Sequence, residues 1–112
     1  MSSFLGAAEK YFQVWNAHDV AGLRALLADN ATLRDWDIEK SGGDDVAAAN
    51  GGIFEAVPNI SIEVVKMHEA GCVICCEILV HLNDEAKTVL KVVDVIEFTD
   101  DAKIAAVRAY KG

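Results

Sequence analysis

A carboxyl stands in the middle of the most apolar strand-like segment of this chain. Over Lys87–Thr99 the pattern alternates with period two, putting Leu90, Val92, Asp94, Ile96 and Phe98 on one face. The other face carries Val89, Val93 and Val95. A strand that is apolar on both faces has to be covered twice. A carboxyl on the buried face has to be paired or kept protonated, because an isolated charge in an apolar interior is very costly. These demands together call for a sheet covered on one side by helices and on the other by a second surface, with a functional cavity near Asp94.

The rest of the chain supplies those parts. Ile60–Glu69, Cys72–Leu82 and Lys103–Lys111 read as further strands, joined by turns at Ala70-Gly71, Asn83-Asp84-Glu85 and Asp100-Asp101. Upstream, Ser2–Asn16 reads as a helix capped by Ser2 or Ser3, with Phe4, Ala8, Tyr11 and Trp15 in one stripe. Asp19 is expected to cap a second helix that turns Leu23, Leu26 and Leu27 inward and closes at Ala28-Asp29-Asn30. A short strand, Ala31 to Asp37, then places Ala31, Leu33, Asp35 and Asp37 on one face. After the loop Ser41-Gly42-Gly43, a third helix starts at Asp44-Asp45 and runs to Val57, before Pro58. Its interior, Ala47-Ala48-Ala49-Asn50-Gly51-Gly52, has almost no bulk, which predicts either a kink or a close approach to another element. The predicted fold is α+β: three N-terminal helices on a strongly curved, mainly antiparallel sheet, a cone enclosing an apolar pocket.

At 112 residues, residues 1–112 are expected to form a single domain. Net charge is −8 with no Lys/Arg cluster, so no nucleic-acid partner is expected. No apolar run reaches membrane-spanning length and no secretory leader is visible, which makes the cytoplasm the default location. Cys72, Cys75 and Cys76 fall on both faces of one strand and have no matching His or Cys ligands, so they read as buried apolar cysteines. With no glycine-rich phosphate loop either, neither cofactor nor metal is expected. The hydrophobic content of 53% exceeds what a small core uses. The surplus is assigned to an apolar small-molecule pocket and to a homodimer interface on the outer sheet face.

Tyr11, Asp35 and Asp94 are the candidate catalytic residues. Two carboxyls and a phenol around an apolar space suit proton transfer next to a carbonyl. Each also has a structural reading. Tyr11 fits a core tyrosine, and Asp35 a solvent-facing strand end beside Asp37. The expected ligand-binding lining is Trp36, Phe54, Leu79, His81, Ile96 and Phe98. Glu77 and His81 share a strand face and are expected to pair in the pocket or at its mouth, whereas His18 and His68 are expected to be exposed.

Three stretches carry a family resemblance: Tyr11-Phe12-Gln13-Val14-Trp15-Asn16-Ala17-His18-Asp19, Leu26-Leu27-Ala28-Asp29-Asn30-Ala31-Thr32-Leu33, and Val92-Val93-Asp94-Val95-Ile96-Glu97-Phe98. With the closing Lys103-Ile104 and Arg108-Ala109-Tyr110, the chain resembles the NTF2-like superfamily, particularly its SnoaL-like and ketosteroid isomerase-like branches. The resemblance implies that Asp35 is the general base and that Tyr11 and a protonated Asp94 form the oxyanion hole, the pKa tuning for which ketosteroid isomerase is the standard example. It also implies departures. Trp36 stands where the isomerases usually place a proline, Ala49 and Asn50 replace pocket aromatics, and Lys111 replaces an apolar side chain. The alternatives are a SnoaL-like polyketide cyclase and a non-catalytic ligand-binding or dimerisation module.

Overall fold

The computed structural model describes residues 3–112. Three helices, α1 (Leu5–Asn16), α2 (Val20–Leu26) and α3 (Gly43–Ala56), cover one face of a six-stranded sheet. The strands are β1 (Leu27–Arg34), β2 (Glu39–Ser41), β3 (Ser61–Ala70), β4 (Val73–His81), β5 (Val89–Phe98) and β6 (Ile104–Lys111). Their order across the sheet is β2-β1-β6-β5-β4-β3. All pairs are antiparallel except β1 with β6, which run parallel. The α+β cone expected from the sequence is therefore present.

Register shifts bend the sheet at Leu27/Thr32, Val64/Lys66 and Glu97/Phe98. Such irregularities sharpen local twist and let a sheet wrap around a helix layer. The wrapped face buries Ile74, Cys76, Ile78 and Val80 of β4 against Val92, Asp94, Ile96 and Phe98 of β5. α1 adds Ala8, Tyr11 and Trp15 of the predicted stripe from above, with Phe12 beside them.

Several boundaries differ from the sequence reading. α1 begins at Leu5, and Ser2, one of its two expected caps, lies outside the described residues. The hydroxyl of Ser3 accepts from the Leu5 N–H at 3.2 Å but is tied to Glu69 at 2.8 Å rather than serving as the N-cap. Asp19 caps α2 as expected, its Oδ1 accepting from Gly22 N–H at 2.9 Å. Ala28-Asp29-Asn30 is not a closing loop: β1 starts at Leu27, directly after α2. β2 was not anticipated at all. α3 runs unbroken through its small-residue stretch, and a Cβ on Gly51 would stand 3.3 Å from a methyl of Val20. Of the two options for that stretch, close approach is the one realised.

Candidate active site

The helices and the curved sheet enclose an apolar cavity of about 310 Å³. It is lined from α1 by Tyr11 and Trp15, from α3 by Asn50 and Ile53, and from the sheet by Ile78, Val80, Leu90, Val92, Asp94 and Ala109. Asp35, Trp36, Asp37 and Ile38 border it where β1 turns into β2. The volume sits at the small end of the range of ligand sites.

Asp94 is carried into this space by the alternation of β5 and is only 5% exposed. Burial, and then the nearby Asp35 carboxyl, push its pKa up to about 7. Tyr11 is equally buried, and its phenol is raised well above the ordinary value by burial first and then by Asp94 and Cys76. The Cys76 thiol, fully buried in the sheet's inner face, is pushed up to about 12 by burial and Asp94, so it stays protonated. Neither the Tyr11 hydroxyl nor the Asp94 carboxyl is hydrogen-bonded to another described residue. Among those residues no sealed side-chain oxygen or nitrogen lacks a partner, so both groups present their free oxygens to the cavity.

Asp35 is held differently. β1 ends at Arg34, and Asp35 opens a tight turn instead of continuing the strand to Asp37. Its N–H donates to Ile38 O at 2.9 Å, while Oδ1 accepts from the N–H groups of Asp37 and Ile38 at 2.7 and 2.6 Å. That double acceptance fixes one oxygen, as Asx turns do, and leaves Oδ2 without a partner among the described residues. Trp36 follows at the cavity rim, 41% exposed, with the Lys111 ammonium 5.1 Å from its ring centroid.

Of the six residues expected to line the pocket, only Trp36 does so. Leu79 and His81 are corrections: they alternate with Ile78 and Val80 and therefore face the outer side of the sheet. His81 pairs there with Glu63 at 2.9 Å, and Glu77 with His68 at 2.6 Å, so the expected Glu77–His81 pair does not form. Ile96 and Phe98 share Asp94's face but are packed into the core outside the cavity, Phe98 stacking on Phe4 at 5.4 Å. Phe54 packs beside the cavity wall, stacked on His18 at 4.3 Å and edge-on to Trp15. His18 is correspondingly half-buried, its Nε2 bonded to Ile60 O at 2.8 Å. Cys72 is exposed in the β3–β4 turn rather than buried. The polar wall residue that sequence reasoning noted only as a replaced aromatic is Asn50. Its signal was an amide inside a run of small residues.

The SnoaL-like domain family model matches residues 8–107. The chain belongs to the SnoaL-like family. No curated protein sequence matches this SnoaL-like chain. Among solved structures, a cystatin-fold protein from Novosphingobium aromaticivorans is similar at 21% identity, with a TM-score of 0.84 and coverage of 97% of this chain and 98% of that one. A SnoaL-like protein from Agrobacterium tumefaciens, provisionally designated an isomerase, matches at 18% identity, TM-score 0.83, over 100% and 99% of the two chains. A Sinorhizobium meliloti protein, provisionally designated a polyketide cyclase, matches at 14% identity, TM-score 0.83, over 93% of each. At these identities the likeness establishes the SnoaL-like fold alone.

Proposed function

We propose that this SnoaL-like protein moves a proton next to a carbonyl, through an enolate, on a compact apolar ligand. The observation that carries the proposal is the pair of unpartnered groups with raised pKa values, Tyr11 and Asp94, at the wall of an apolar cavity bordered by Asp35. A ketone oxygen placed between the phenol and the carboxylic acid would receive two neutral hydrogen bonds. Oδ2 of Asp35 would take a proton from the α-carbon. The negative charge would then develop on the ketone oxygen, where both donors strengthen. Return of the proton from Asp35 to the γ-carbon would convert a β,γ-unsaturated ketone into its conjugated isomer, with no net change in atoms or charge.

The test is ultraviolet absorbance on incubation with β,γ-unsaturated ketones, bicyclic and steroidal in parallel, for wild type and Asp35→Asn. A rise in conjugated-enone absorbance that requires Asp35 is expected. No rise with either ketone, while 2-naphthol still binds in a Tyr11-dependent way, would replace isomerisation by ligand binding or by ring closure of a different enolate.

The outer face of the sheet supports a second copy of the chain as its cover. Val65 and Tyr110, each 57% exposed, flank a shallow apolar groove with Leu79 and Val93. Sedimentation is expected to give a dimer at micromolar concentration and a monomer for Val93→Glu. A monomeric wild type would remove this assignment.

A further inference from the structure

Asn50 is the polar group of the cavity wall that the proton-transfer scheme leaves unused. Its side chain is 5% exposed and its orientation is fixed by its two partners. The indole N–H of Trp15 can only donate, so the atom 2.9 Å from it must be the amide oxygen. The carbonyl of Val46 can only accept, so the atom 2.9 Å from it must be the amide nitrogen. The amide cannot flip without breaking both bonds. Nδ2 carries two hydrogens, and one is spent on Val46. The second has no acceptor among the described residues, in a side chain that lines the cavity. A buried donor of this kind needs an acceptor, and the cavity is where one can arrive.

The placement relative to the oxyanion pair matters. Tyr11 and Trp15 are one helical turn apart on α1 and both line the cavity. Tyr11 works with Asp94, and Trp15 holds Asn50. The cavity thus has two oxygen-binding points, Tyr11 with Asp94 and the Asn50 amide on α3, the second anchored one turn of α1 beyond Tyr11. Ile78, Val80 and Val92 supply apolar wall between the helices and the sheet.

The geometry points to Asn50 as the residue that selects a ligand with a second oxygen, a carbonyl or ether set apart from the reacting ketone. The free Nδ2–H donates to that oxygen, and the indole–amide–carbonyl chain keeps the donor in place. Asn50 is a specificity residue here and takes no part in moving the proton. This inference rests on the oxyanion reading of Tyr11 and Asp94.

The experiment is a matched pair of phenols titrated into the wild-type protein: 6-hydroxy-2-tetralone and its deoxy parent, 5,6,7,8-tetrahydro-2-naphthol. Saturated carbons insulate the ketone from the phenol, so the two hydroxyls are alike and differ only in the distant oxygen. In an apolar cavity with no donor the ketone would weaken binding. The expected result is a five- to tenfold preference for the tetralone in wild type, lost in Asn50→Leu while the deoxy parent binds as before. Equal or weaker binding of the tetralone to wild type overturns the role of Asn50, and that comparison needs no variant to fold. A preference that survives Asn50→Leu overturns it too. If Tyr11→Phe leaves the deoxy parent's affinity unchanged, or that parent does not bind, the oxyanion reading fails and this inference fails with it.

Discussion

Cys76 and Asp94 are register partners across β4 and β5, and both side chains turn into the buried face of the sheet. A thiol held protonated and a carboxyl with a pKa of about 7 therefore lie side by side on one buried sheet face. The fold raises the Asp94 pKa largely by withholding water from the carboxyl.

Asp94 should make stability depend on pH in a stated direction. Its folded pKa is raised from the model-peptide value of 3.8 to about 7. Below the lower value both folded and unfolded chains hold the proton, and the contribution is fully present. Between the two values only the folded chain holds it, so stability falls as pH rises, by about 4 kcal/mol in all, and is lost above pH 7. Asp94→Asn should abolish this slope. Urea midpoints at pH 4.5 and pH 8 check it: the variant should gain on wild type at the higher pH.

Turnover should fall as pH rises through about 7, because an ionised Asp94 can no longer donate to the enolate oxygen. The Asp35 charge is one cause of the raised value, so Asp35→Asn should move the Asp94 titration downward. Carbonyl-stretch infrared titration of the two proteins would read that shift. An unmoved titration would mean that the two carboxyls do not sense one another.

Asp35→Asn and Asp35→Ala should separate chemistry from architecture. Asparagine keeps an oxygen for the Asp37 and Ile38 N–H groups, whereas alanine leaves both without their acceptor. The alanine variant should therefore lose about 1 kcal/mol of stability that the asparagine variant retains. Both should lose turnover. Thermal melts beside the enone assay distinguish the two effects.

His81→Ala should leave binding of 2-naphthol within twofold of wild type. The imidazole pairs with Glu63 on the outer face and does not line the cavity, and an exposed pair of this sort contributes little. A large loss of affinity would place His81 in the ligand's path and contradict the face assignment.

The helices, the four long strands and their turns were legible because each carries its own signal: a stripe, an alternation, or Asp19, Gly71 and Pro58 as punctuation. β2 had none, being three residues long and exposed throughout. In β4 both faces are apolar, so alternation separated Leu79 and His81 from Ile78 and Val80 without saying which pair faced the helices. Glu77, on the side of His81, was the one legible hint. Ile96 and Phe98 show a different blind spot. Alternation assigns a face, but depth along the cone depends on where the sheet bends. The position of Asp35 was not legible in the alternation, since it comes from a turn rather than from strand pleating.

The parallel pairing of β1 with β6 also sets the order in which the site can come into being. β6 lies between β1, which leads to Asp35, and β5, which carries Asp94. Its register with β1 joins Leu33 to Val107 across most of the chain, a contact whose loop-closure entropy makes it late and slow to form. The β3–β4–β5 hairpins pair neighbours in sequence, whereas Asp35 and Asp94 stand on segments that only β6 joins. On this topology the cavity that Tyr11, Asp35 and Asp94 border is complete only when the two ends of the chain have met.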